Sequence, residues 1–297
     1  MRDMKTTDKS AFTLIELLIV IGIIGILASV MLGFFSGSSE SAKATVCMNN
    51  MRALAVAVNN YASQNELGHY PAAGSFVYMT YYGKLEYHER VGWIARSPRS
   101  GKKVGSIITF SAEDTFKNRN AEGGLRQALA GGSLWGQLNA SRSLYQCPVH
   151  AEACNKKNHR YPGWSYVMNP VFGWASKKDD PLPGWAGCSY GSWKAPDRVL
   201  LFAEIQGVDD PDLRLVANLN QGGEKGDSVL QYEDNEYIGF NHKQKVGHWA
   251  GHVAFVDGHV GKFLVPEKGN LRELTEKLCQ GYELEYRGGE YIDLQDR

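Results

Sequence analysis

Polar and apolar positions divide the chain into three stretches. Residues 1–11 are polar and carry Arg2, Lys5 and Lys9. Phe12-Thr13-Leu14-Ile15-Glu16 follows, and Leu17 to Phe35 holds no charged residue. An uncharged run of this length approaches the ~20 residues that a membrane-spanning helix needs. Positive residues ahead of it predict a cytoplasmic N-terminus and an exported C-terminus. No proline occurs before Pro71. From Ser38 to Asn65 the apolar positions Cys47, Met51, Leu54, Val58 and Tyr61 recur at steps of four and three, the face of one helix. Together these stretches predict a helix from about Phe12 to Gln64, roughly 80 Å long at 1.5 Å per residue. Gly33, Gly37 and the serines between 36 and 39 are its weak point, because glycine lowers helix stability.

Beyond Pro71 the pattern shortens into β-branched and aromatic runs separated by turn residues. Val104–Phe110, Val199–Glu204, Leu213–Leu219 and His252–Phe263 are candidate strands. A helix is predicted from the cap Asn270, with Leu271, Leu274 and Leu278 on one face. A final hairpin is predicted from Tyr282–Tyr286, Gly288-Gly289 and Tyr291–Leu294. The predicted fold class is α+β: a long N-terminal helix packed on a mostly antiparallel sheet, with long loops from about 70 to 195. Its segments are 1–11, 12–35 and a head over 36–297 whose helical part runs to about 65.

Two simpler accounts of the N-terminus fall short. A secretory signal peptide has an apolar core of 7–15 residues and a small-residue cleavage site after it; here the run is longer and ends in Gly33-Phe34-Phe35. A plain signal anchor leaves Glu16 unexplained, since an acid inside a spanning helix is costly and by default functional. Lys plus Arg and Asp plus Glu both number 32, so no basic footprint for nucleic acid exists. The five cysteines, Cys47, Cys147, Cys154, Cys188 and Cys279, contain no CxxC pair. This excludes zinc-ribbon and thioredoxin patterns. Disulfides are permitted in an exported head; Cys147, Cys154 and Cys188 are the candidates, with connectivity open.

The string Lys9-Ser10-Ala11-Phe12-Thr13-Leu14-Ile15-Glu16-Leu17 resembles the cleavage and methylation motif of type IV pilins and type II secretion pseudopilins. The resemblance implies that a prepilin peptidase cuts between Ala11 and Phe12 and methylates the new amine. Ala11 stands where the family usually has Gly. It also implies assembly through Phe12 and Glu16, the carboxylate pairing with the Phe12 amine of a neighbouring subunit. A carboxylate in low dielectric needs such a cation; the alternative for an isolated chain is a Glu16 that reaches to the membrane interface. The implied partners are the peptidase, further copies of the chain, other pilin-like subunits, the secretion or pilus assembly platform and membrane lipid. The implied location is the bacterial inner membrane, single-pass, with the head in the periplasm or carried into a filament. Cys47-Met48-Asn49-Asn50, Leu144–Pro148, Arg198–Glu204 and the His-rich stretch before Asp257-Gly258 are similar to a prepilin subgroup with a C-terminal His and Asp-Gly signature. Here Gly247 occupies that subgroup's nominal His position.

Asp257-Gly258 between apolar runs predicts a two-residue hairpin turn. In that register His252 faces Phe263, and His252 and His259 lie about 13 Å apart along one face. The histidines therefore predict no metal site, although His242 and His248 could approach from a loop. Major pseudopilins often hold calcium in the head. Asp209, Asp210 and Asp212 are the candidates here, with a solvated turn at Pro211 as the plainer account. Trp164, Trp174, Trp185 and Trp193, with Tyr161, Tyr166 and Tyr190, are either loop-packing residues or a stacking platform. No nucleophile elbow, P-loop or HExxH motif appears, so no catalysis is expected. The predicted function is a structural subunit of a type II secretion pseudopilus or type IV pilus-like filament. The alternative is a membrane-anchored binding protein for a polysaccharide or protein ligand.

Overall fold

The computed structural model describes the backbone of residues 13–66, 68–74, 76–81, 84–89, 92–95, 103–104, 107–108, 124–157, 163–172, 191, 193–206, 228–230, 237–244, 248–266, 271–281, 284–287 and 290–293, most of them with side chains. Helix α1 is Leu14–Gln64. The chain divides into two units, Met1–Ala42 and Lys43–Arg297.

In the first unit, the described side chains of α1 are apolar yet exposed. Leu14, Ile15, Leu17, Leu18, Ile24 and Ile26 are all more than half exposed. Among the described residues, no helix is long and apolar enough to cross a membrane. The described apolar stretch of α1 side chains stops at Ser29, short of the roughly 20 residues that a span needs.

The second unit is the predicted α+β head, pilin-like in architecture. Its centre is an antiparallel sheet of β5 (Tyr166–Met168), β6 (Leu200–Glu204), β7 (His242–Lys243), β8 (Trp249–Phe255) and β9 (Val260–Leu264). Strand β8 is the hub. One edge pairs with β9; the other pairs with β7 near Trp249 and with β6 near Val253, so β7 and β6 lie end to end. Strand β5 completes the order beyond β6. All of β6 is buried. Against this sheet α1 buries Cys47, Met51, Leu54, Val58 and Ala62. Helix α4, Leu271–Gln280, buries Leu271, Leu274 and Leu278, the face that its sequence predicts.

Three expectations need correction. The segment from 70 to 195 carries more than loops: a hairpin of β1 (Phe76–Tyr81) and β2 (Lys84–Glu89), helices α2 (Gly124–Ala130) and α3 (Pro148–Lys157), and β5. Val104–Phe110 is not one strand; Lys103–Val104 (β3) and Ile107–Ile108 (β4) pair with each other, with Gly105-Ser106 between them in sequence. The β8–β9 turn is longer than two residues. His252 pairs with Lys262 rather than Phe263. The Gly258 N–H reaches the Phe255 carbonyl at 2.9 Å, and the Phe255 N–H reaches the His259 carbonyl at 3.0 Å. Gly258 has φ +93°, the glycine position of a bulged three-residue turn. The last hairpin is found as β10 (Leu284–Arg287) and β11 (Glu290–Asp293). Leu213–Leu219 lies outside the described residues.

Candidate functional site

The N-terminal site begins with a helix cap. Thr13 donates from its backbone N–H and from its hydroxyl to Glu16 Oε2, both at 2.8 Å, and the Glu16 N–H returns a bond to Thr13 Oγ1 at 3.3 Å. This reciprocal pair is a capping box. Thr-x-x-Glu at 13–16 signals it in the sequence, and the expectation of an intersubunit or interfacial Glu16 overlooked it. Glu16 thus has an intrachain role whatever it pairs with between chains. Ala11 and Phe12 lie outside the described residues, as do Asp209, Asp210, Asp212 and Cys188; so does the side chain of Cys154.

A second site lies in the head and follows from strand alternation. Ala203 is opposite Val253, so Glu204 falls level with His252 on the same face. His242 is opposite Ala250, two residues along β8 and on that face too. Tyr166, opposite Glu204, shares it. The Tyr166 hydroxyl donates to Cys47 Sγ of α1 at 3.4 Å, so this is the face that α1 covers. Asn50, one turn after Cys47, donates to the carbonyls of Ser143 and Gln146 at 3.2 and 2.9 Å. That clamp holds the segment leading into Cys147, which is joined to Cys47 as a disulfide with Cα atoms 5.1 Å apart. Cys147 was expected to pair among Cys154 and Cys188. Helical spacing along α1 gave no reason to look 100 residues upstream.

Glu204 is the centre. His242 Nε2 and His252 Nδ1 donate to its Oε1 at 3.0 and 2.8 Å, and Asn241 Nδ2 donates to Oε2 at 3.1 Å. All four residues are buried. Burial opposes ionisation of this carboxyl, but His242 and His252 outweigh it and hold its pKa well down, at about 2. His242 Nε2 also lies 3.6 Å from Cys147 Sγ, while its Nδ1 has no partner among the described residues. The rings of His242 and His252 are 4.5 Å apart. Cys47, Cys147, Glu204 and His242 can each direct one ligand atom so that all four atoms lie within 4.8 Å of one another. His242 therefore does approach His252, the possibility that the sequence left open, but from strand β7 rather than from a loop. His259 instead stacks on Phe255 at 4.2 Å and bonds Asp257 Oδ1 through its backbone N–H and Nδ1.

The arrangement does not suit a thiol-histidine-carboxylate relay. One nitrogen, Nε2, faces both the sulfur and the carboxylate, where a relay uses the two ring nitrogens separately. Of the candidate aromatics, Trp164 and Tyr166 are fully buried and Trp193, partly buried, packs on Phe172 at 5.6 Å, while Tyr161, Trp174, Trp185 and Tyr190 lie outside the described residues.

A model of the prokaryotic N-terminal methylation motif matches residues 7–32. No curated protein and no solved structure matches the chain.

Proposed function

We propose that this chain, which carries the prepilin-type cleavage and methylation signal of type IV pilin-like proteins, is a non-catalytic structural subunit of a type II secretion pseudopilus or a pilus-like filament. The observation that carries the reading is the match over residues 7–32, with its Phe-Thr-Leu-Ile-Glu string. The exposed apolar residues from Leu14 to Leu27 support it. A helix apolar all round its circumference is one that lipid or partner helices cover. The uncharged sequence continues to Phe35, which supports a single inner-membrane anchor with the head in the periplasm. Prepilin peptidase and other pilin-like subunits are the partners that this reading requires.

Co-expression with a prepilin peptidase tests it. The mature chain begins at Phe12 with a methylated amine, and mass spectrometry finds it in sheared surface filaments. A mature start at Met1, or beyond Phe35, overturns the proposal. Glu16→Ala inserts in the membrane normally but assembles poorly; normal filament yield from this variant removes Glu16 from assembly.

A further inference from the structure

The buried cluster can do more than close a disulfide. We propose that, with Cys47 and Cys147 as thiols, it is a structural zinc site whose ligands are the two sulfurs, His242 and Glu204. Two thiolates, an imidazole and a carboxylate are a donor set that zinc takes in four-coordinate sites. Zinc–sulfur and zinc–nitrogen bonds of about 2.3 and 2.0 Å place tetrahedral ligand atoms roughly 3.3–3.8 Å apart. Cys147 Sγ and His242 Nε2 already stand 3.6 Å apart, and His242 Nε2 and Glu204 Oε1 stand 3.0 Å apart. Freeing the two sulfurs from the disulfide takes two electrons and two protons from a thiol reductant; a chain not yet oxidised already holds them as thiols and takes the ion directly.

The surroundings fit a closed site. All four ligands are buried, so no coordination position is left open to solvent, as in structural rather than catalytic zinc centres. His252 and Asn241 hold the carboxylate from behind, which is the outer-shell support such ligands require. Zinc with two thiolates and a carboxylate carries one net negative charge, and the hydrogen bonds from His252 and Asn241 point toward it. Binding converts two thiols to thiolates and releases their two protons, while the His242 proton passes from the ligating Nε2 to Nδ1, which has no partner among the described residues. The ligands come from α1, the segment before α3, β6 and β7, so the ion would tie together the same elements that the disulfide ties.

Cobalt substitution in the reduced full-length chain, held in detergent, tests the site. Reduced wild type takes up one Co2+ per chain with thiolate-to-cobalt charge-transfer absorption, and one equivalent of zinc displaces it. Cys147→Ser loses most of that absorption. Cys279→Ser and His248→Ala keep it, since neither residue touches the cluster. Glu204→Gln, which retains a hydrogen-bonding side chain, lowers zinc affinity at least tenfold in competition with a chromophoric chelator. Reduced wild type that retains its circular dichroism but shows no thiolate band overturns the proposal, as does a Cys147→Ser chain that keeps the full band.

Discussion

Two glycines and one histidine show how single residues constrain the head. Gly258 has open space around its missing side chain, so its constraint is conformational: φ +93° is a region that β-branched residues avoid. Gly258→Val is expected to cost about 1 kcal/mol or more in urea denaturation. Gly251 is constrained by space, because a Cβ there would run into the Gly239 carbonyl across from it. Gly251→Ala is expected to cost more than Gly258→Ala in the same assay, since backbone must move to admit it. Asp257-Gly258 was readable as a turn; Gly251 was not, because its neighbour is brought in by a distant segment. His150, hydrogen-bonded to Ser165 at 2.9 Å, gives a pH effect. Burial lowers its pKa to about 4, against the raising influence of Glu204. Unfolded chain binds a proton near pH 6.5 that folded chain refuses until about pH 4, so stability falls as pH drops through that window. The loss is about 3 kcal/mol across it. Denaturation curves at pH 7 and 4.5 should show this slope in wild type and a shallower one in His150→Gln.

At the scale of elements, the 47–61 stripe was legible because a helix repeats its face every three or four residues, and the structure buries Cys47, Met51, Leu54 and Val58. Leu54→Ala should destabilise the head by about 2–5 kcal/mol, while Val56→Ala, at an exposed position of the same helix, stays within ~0.5 kcal/mol. Equal costs for the two would mean that α1 packs on another face. The amphipathic helix α4 was readable for the same reason. The β1–β2 hairpin was legible too, though not among the strands expected: Phe76–Tyr81 is an apolar, aromatic run, and Leu85 and Tyr87 alternate with Lys84, Glu86 and His88. The buried cluster, by contrast, was hidden. Its members come from five separate segments, and what gathers them is the end-to-end placement of β7 and β6 along one edge of β8. No spacing within the sequence encodes that pairing. Its traces, Cys47 with Asn50 three residues on and Glu204 at the end of an apolar strand, become meaningful only once the strands are ordered.

For the whole molecule, the division after Ala42 agrees with a head whose core, among the described residues, begins at Cys47. A fragment starting at Ser38 and exported to an oxidising compartment is expected to be monomeric and to unfold cooperatively in a calorimeter. Persistent aggregation would move the domain boundary. Cross-linking residues 100 apart removes much of the unfolded chain's freedom, about 4.7 kcal/mol by loop-closure arithmetic. Reduction should therefore lower the fragment's melting temperature markedly.

The placement of Cys47 also governs how the protein bears force. It is the first buried position of α1 among the described residues, ahead of Met51, Leu54 and Val58. A pull transmitted along the helix from its N-terminal end would meet this covalent junction before it reached any of the apolar contacts behind it. Those contacts yield easily when peeled one at a time, but here peeling cannot start from that end until a bond breaks. The Cys47 end of the helix would stay fastened to the sheet under loads that would strip a helix held by packing alone.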